Sequence, residues 1–122
     1  MPKHVLIVED ERPLAHALEL KLQFEGFDVT VHNNGKDGLD AALTGAYDML
    51  LLDLMMPVMD GFQVLRELEK MPKRPPVFVL SNLSQHEDED RVLEAGAKRY
   101  FIKSDTPLST IVDAIKQELK VK

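Results

Sequence analysis

Short apolar runs alternate along the chain with longer segments whose apolar residues recur every three or four positions. That rhythm predicts a parallel sheet covered on both faces by helices. Val5-Leu6-Ile7-Val8 shows no polar alternation, as expected of a central strand buried on both sides. Leu14, Leu18 and Leu22, with Ala17 beside them, predict a first helix from Pro13, a good first-turn residue, to a stop at Gly26. Val29 to Val31 reads as a shorter, more polar strand, and Asn33-Asn34-Gly35 as a turn into a second helix carrying Leu39, Ala42 and Leu43. Tyr47 to Leu52 reads as a third strand, and Phe62, Leu65 and Leu68 as a third helix closed by the proline-containing stretch 72–76. Val77 to Leu80 is the fourth strand. Ser84 and Glu87 fit a capping box, with Asp88, Glu89 and Asp90 at the positive end of a fourth helix that runs through Val92 and Leu93 to Gly96. Tyr100 to Ile102 is the fifth strand. Thr106 as cap and Pro107 as first residue then open a last helix with one stripe of Leu108, Ile111, Val112, Ile115 and Leu119. Five strands and five helices with no repeat or linker predict one domain over residues 1–122.

Composition narrows what such a domain can do. Fifteen basic against 21 acidic residues leave a net charge of -6, which repels phosphate backbones and anionic lipid, so direct nucleic-acid binding is not expected. With no cysteine, the chain has no disulfides, thiolate metal sites or cysteine nucleophile. The longest apolar stretch, Met49 to Met59, is broken by Asp53 and falls far short of the roughly 20 residues a membrane span needs. The first apolar run is too short for a signal-peptide core, which predicts a cytoplasmic protein.

Ligands of an open parallel sheet bind beyond the carboxyl ends of its strands. The residues that follow the apolar runs are Glu9 and Asp10 after the first strand, Asp53 after the third, Ser81 after the fourth and Lys103 after the fifth. Each alone is an ordinary capping, turn or surface residue. Asp53 is the least ordinary, because a carboxylate next to Met49-Leu50-Leu51-Leu52 is costly to desolvate without a compensating cation or donors. Together they would place three carboxylates, a hydroxyl and an ammonium on one edge. Clustered carboxylates suit a hard divalent cation, magnesium in particular, which keeps waters and accepts a phosphate oxygen. The ammonium and hydroxyl suit the oxygens of a phosphoryl group, and a carboxylate can itself be the acceptor in phosphoryl transfer. Glu9-Asp10-Glu11 would repel a bound phosphate, and no glycine fingerprint follows the first strand, which argues against flavin, dinucleotide and nucleoside-triphosphate binding. His4, His16, His32 and His86 share no metal-ligand spacing and receive no role.

Glu9-Asp10, the run from Asp53 through Pro57 to Asp60-Gly61, Ser81, and Tyr100-Phe101-Ile102-Lys103 together resemble the receiver domain of bacterial response regulators, of the single-domain, chemotaxis-regulator-like kind. The resemblance spans essentially the whole chain. It implies a flavodoxin-like, doubly wound α/β fold with a five-stranded parallel sheet and five helices. It implies that Asp53 accepts a phosphoryl group from a sensor histidine kinase or phosphotransfer protein. Magnesium would be held by Asp10, Asp53 and the Met55 carbonyl, with Glu9 acting through water. Ser81 and Lys103 would hold the phosphoryl oxygens, and Ser81 and Tyr100 would form the switch. The face made by the fourth helix, fifth strand and fifth helix would bind a downstream protein, as a monomer or a weak phosphorylation-dependent homodimer. Catalysis would be limited to the chain's own phosphorylation and dephosphorylation. The alternative is a degenerate receiver that binds its partner without phosphorylation.

Several positions depart from the family's usual pattern. Ser104 follows Lys103 where proline is common, and a cis bond to serine costs about 3 kcal/mol or more, which predicts a trans, shifted loop. Asn82 follows Ser81 where a small residue is usual. Met55 and Leu83, both apolar, flank the expected path of attacking water, which predicts a long-lived phosphoryl-aspartate.

Overall fold

The computed structural model describes residues 2–82 and 86–121. Strands and helices alternate from end to end: β1 (His4–Val8), α1 (Arg12–Phe24), β2 (Asp28–His32), α2 (Gly35–Leu43), β3 (Met49–Asp53), α3 (Gly61–Leu68), β4 (Val77–Ser81), α4 (His86–Glu94), β5 (Arg99–Ile102) and α5 (Leu108–Leu119). All pairings are parallel, in the order β2-β1-β3-β4-β5. This is the flavodoxin-like order, with its reversal between β1 and β3.

Because side chains alternate across a strand, the unbroken apolar runs feed two separate cores. Val5, Ile7, Leu51, Phe78, Leu80 and Phe101 pack under α1 and α5. Leu6, Val8, Leu50, Leu52, Val77 and Val79 pack under α2, α3 and α4. Phe78 and Phe101 meet edge to face with ring centres 5.7 Å apart.

Several element ends differ from the sequence reading. β3 starts at Met49, where pairing with Val5 begins, and runs on to include Asp53. Tyr47, expected in that strand, instead sets its ring edge-on to His4 at 4.6 Å. β4 likewise extends to include Ser81. α5 begins at Leu108, one residue late, because Pro107 keeps an extended ψ of 148° and its carbonyl accepts from Thr110 N–H at 3.0 Å. Thr106 therefore does not cap it. In α1 the buried alanine is Ala15 rather than Ala17, and Leu43 and Leu93 are 48% and 40% exposed. Asp60, at the start of α3, forms a capping box that the sequence reading did not identify: its carboxylate accepts from Gln63 N–H at 2.9 Å while its own N–H donates to Gln63 Oε1 at 3.1 Å. The expected box at Ser84 lies outside the described residues.

Among the described residues, no helix is long and apolar enough to cross a membrane.

Candidate functional site

The sheet delivers its chemistry at one edge. Asp53 and Ser81 are the last residues of their strands, in register with Leu80 and Ile102 respectively, so the ladder itself fixes their backbones. Glu9 follows β1 and is held nearly as firmly, since its N–H donates to His32 O at 3.0 Å and Asn33 Nδ2 donates to its carbonyl at 2.8 Å. Asn33 had read as a turn residue only, and nothing in its immediate sequence shows that it would brace a neighbouring strand. The backbone after Asp53 folds back so closely that a Cβ on Gly61 would stand 2.4 Å from Asp53 O. Only glycine fits there, which is the physical content of the Asp60-Gly61 pair.

Glu9, Asp10 and Asp53 each offer a carboxylate oxygen, and the three oxygens lie within 4.8 Å of one another. Glu9 and Asp53 are each only 2% exposed. Lys103 joins this group from the carboxyl end of β5. Its Nζ lies 2.8 Å from Glu9 Oε1, 3.0 Å from Glu9 Oε2, 3.3 Å from Asp53 Oδ2 and 3.4 Å from Glu11 Oε2. Every peptide bond among the described residues is trans. The chain turns through a short 3-10 helix at Lys103–Asp105, absent from the sequence reading, and the lysine keeps its aim with serine at position 104.

Burial, then the adjoining Asp10 carboxyl and the charge and hydrogen bonding of Glu9, push the Asp53 carboxyl up to about 8, against the pull of Lys103. Burial acts to lower the Lys103 ammonium, but Glu9 and Asp53 together hold it above its ordinary value. Asp53 Oδ2 is buried without a hydrogen-bond partner, its nearest cation being the ammonium already shared with Glu9 and Glu11. Such an orphaned oxygen among crowded acids is what a hard cation compensates. The donor set suits magnesium, since octahedral bonds of about 2.1 Å place opposite oxygens about 4 Å apart.

Ser81 is fully buried, and its hydroxyl interacts with the Tyr100 phenol of the neighbouring strand. Burial raises the Tyr100 phenol above its ordinary value; the interaction with Ser81 opposes this, and Asp88 and Glu89 add to it. The two residues assigned to the switch thus already interact. Met55 meets the site through its N–H, which donates to Asp53 Oδ1 at 3.3 Å, while its side chain is 60% exposed. Val58 has a φ of 72° and is 80% exposed, with Met59 N–H donating to Pro57 O at 2.8 Å across it. This is a strained turn for a β-branched residue. Asn82 is exposed, and Leu83 lies outside the described residues. Glu11 is the group whose place the sequence did not reveal: it read as one of three consecutive acids, and only the fold turns it onto Lys103.

The chain matches the family model of the response regulator receiver domain over residues 5–116. It is 44% identical over 100 residues to an uncharacterized transcriptional regulatory protein, YkoG, of Bacillus subtilis (strain 168), an alignment covering 82% of this chain and 44% of that protein. Its fold is that of the CheY-like response regulator receiver domain protein of Methanospirillum hungatei JF-1, with a TM-score of 0.91 at 24% identity over 98% of this chain and 95% of the other. The receiver domain of the Francisella response regulator 1452 superposes with a TM-score of 0.89 at 28% identity, covering 97% of each chain. The chain spans less than half the length of the curated relatives it matches.

Proposed function

The chain belongs to the response regulator receiver domain family of two-component signalling, and from that premise we propose that it is a phosphorylation switch whose acceptor is Asp53. The observation that carries this is the convergence of Asp53 Oδ2, buried and without a hydrogen-bond partner, with two further carboxylates and one ammonium at the end of the central strands. A phosphohistidine on a sensor kinase or phosphotransfer protein is the donor.

Asp53 must be ionised to attack, and burial among acids opposes this. Asp10 and Asp53, with the Met55 carbonyl and Glu9 through water, would hold magnesium, which supplies charge to neutralise the carboxylates and the equatorial oxygens of the transferred group. Lys103, 3.3 Å from Asp53 Oδ2, contributes a second positive charge. Its ammonium, held above its ordinary value, stays protonated through the working range. Ser81 supplies a hydroxyl donor at the end of β4. When that hydroxyl turns toward a phosphoryl oxygen, its interaction with Tyr100 is what changes, and β5 carries the change to the face of α4, β5 and α5. Partner binding at that face is the output. The chain's own turnover is confined to its acyl phosphate.

The relatives named as transcriptional regulators are matched over only 44% and 45% of their length, so the expected absence of direct nucleic-acid contact concerns this domain alone. Intact mass after incubation with acetyl phosphate, with and without magnesium, tests the reading. A magnesium-dependent gain of one phosphoryl group, absent in Asp53→Asn, is expected; no gain where another receiver is labelled would favour the degenerate, phosphorylation-independent module. The label is expected to be long-lived beside the apolar Met55, and to be lost faster in Met55→Glu. Rapid spontaneous loss from the wild type would refute that.

A further inference from the structure

We propose that Glu11 is an anionic gate on Lys103, occupying the ammonium that an incoming phosphoryl group has to take over and thereby setting how readily the site admits a phosphodonor. The inference rests on the phosphoacceptor reading of Asp53. Lys103 faces carboxylates of Glu9, Asp53 and Glu11, and an ammonium has only three N–H bonds to offer. Four carboxylate oxygens already crowd these three N–H bonds, so a phosphoryl oxygen gains the lysine most readily by displacing its weakest partner. Asp53 is the acceptor and stays. Glu9 is bound through both oxygens, at 2.8 and 3.0 Å, and its side chain is 3% exposed. Glu11 holds the longest contact, 3.4 Å, from a side chain 51% exposed, so it is the partner that solvent can receive.

Position 11 has another use for a carboxylate, and the chain does not take it. Glu11 is the N-cap of α1, where a side-chain oxygen ordinarily accepts from exposed helix amides, yet it makes no capping bond. Its backbone N–H donates to Glu9 Oε2 at 2.9 Å, which ties its position to the acid that Lys103 grips most tightly. The negative charge therefore sits beside the lysine and toward the solvent from which an anionic donor arrives.

In the transfer from acetyl phosphate, an Asp53 carboxylate oxygen bonds to phosphorus while the phosphorus–oxygen bond to acetate breaks, and acetate leaves with the bonding pair. The gate acts before this step, on donor uptake. Glu11→Gln keeps the size of the side chain and removes its charge. Half-saturation by acetyl phosphate should fall by about two- to fivefold, the range expected from releasing a partly exposed ion pair, with the maximal labelling rate unchanged. Magnesium affinity of the unphosphorylated protein, read by calorimetry, should also stay unchanged. Glu11→Ser removes the charge while supplying a good capping hydroxyl, and should give the same shift if the glutamine variant folds poorly. Unchanged half-saturation in both variants, or weaker magnesium binding with no gain in donor uptake, would overturn the gate while leaving Asp53 labelled. Absence of label on the wild type would overturn the phosphoacceptor reading and the gate together.

Discussion

The two ends of the same sheet are built on opposite terms. On the amino side of the sheet, His4, Asp48 and Thr30 meet partners of suitable kind. His4 N–H donates to Asp48 Oδ2 and Asp48 N–H to His4 O, both at 2.8 Å, and His4 Nε2 shares a 2.7 Å hydrogen bond with Thr30 Oγ1. At the carboxyl ends, three carboxylates crowd together, one buried oxygen has no hydrogen-bond partner, and a single lysine is shared by two of them and Glu11. A valine there is also held at positive φ. The same strands thus carry a satisfied end that holds the fold and a frustrated end that awaits a cation and a phosphoryl group. Frustration of this kind lowers stability and is kept where reactivity requires it.

Asp53→Asn gives the largest separation between the ends. Labelling should fall to background, since no carboxylate remains to attack. The same change should stabilise the metal-free protein by about 1–3 kcal/mol, because it replaces a buried, acid-crowded carboxyl with a neutral amide that can donate to Glu9 or Asp10. Denaturant titration in EDTA measures this, and a loss of stability would show that the carboxylate end is better compensated than its geometry indicates.

The pH dependence follows from the same group. With Asp53 raised from 3.8 to about 8, the native state binds a proton that the unfolded chain has lost between those values. Stability from this group is therefore fully present below about pH 4 and declines as pH rises toward 8, by at most about 1.4 kcal/mol per pH unit. Lys103 is shifted upward from 10.5 and changes nothing in that window. The difference between wild type and Asp53→Asn, measured from pH 5 to 8 in EDTA, should grow with pH and shrink when magnesium is added. A difference that is flat in EDTA would mean that Asp53 ionises normally.

Asp48→Ala tests the other end. It strips the partner from the first amide of β1 and should destabilise the chain by about 1–2 kcal/mol while leaving the rate of labelling at Asp53 unchanged. A change in labelling rate with the fold intact would mean that the two ends are coupled through the strands.

The contrast also explains what the sequence could reveal. Elements whose signal is local were legible: the apolar runs of β1 and β4, and the stop at Gly26, whose φ is 95°. So were Glu9, Asp10, Asp53, Ser81 and Lys103, because the carboxyl-end rule needs only the strand ends. What escaped depends on relations between segments. Asn33 braces Glu9 from β2, Glu11 reaches Lys103 across 92 positions of sequence, and Tyr47 turns onto His4 instead of joining β3. The end of β3 was misplaced because a charged residue reads as the end of a strand, whereas here the ladder continues through Asp53 and so fixes it in place.

The smallest effect comes from the strained turn beside the site. A β-branched residue at a φ of 72° is held about 1–3 kcal/mol above an ordinary conformation, and Val58 recovers little of this by packing, since 80% of it faces solvent. Asparagine tolerates the left-handed region, because its short polar side chain bonds locally to the backbone. Val58→Asn should therefore stabilise the chain by about 1 kcal/mol, with acetyl-phosphate labelling unchanged, because Met55 N–H keeps its bond to the Asp53 carboxylate. Denaturant midpoints read the first expectation and labelling rates the second. Greater stability with slower labelling would place the strain itself among the features that shape the site. Unchanged labelling would leave the crowded carboxylates and their one lysine as the whole of what distinguishes the reactive end from the quiet one.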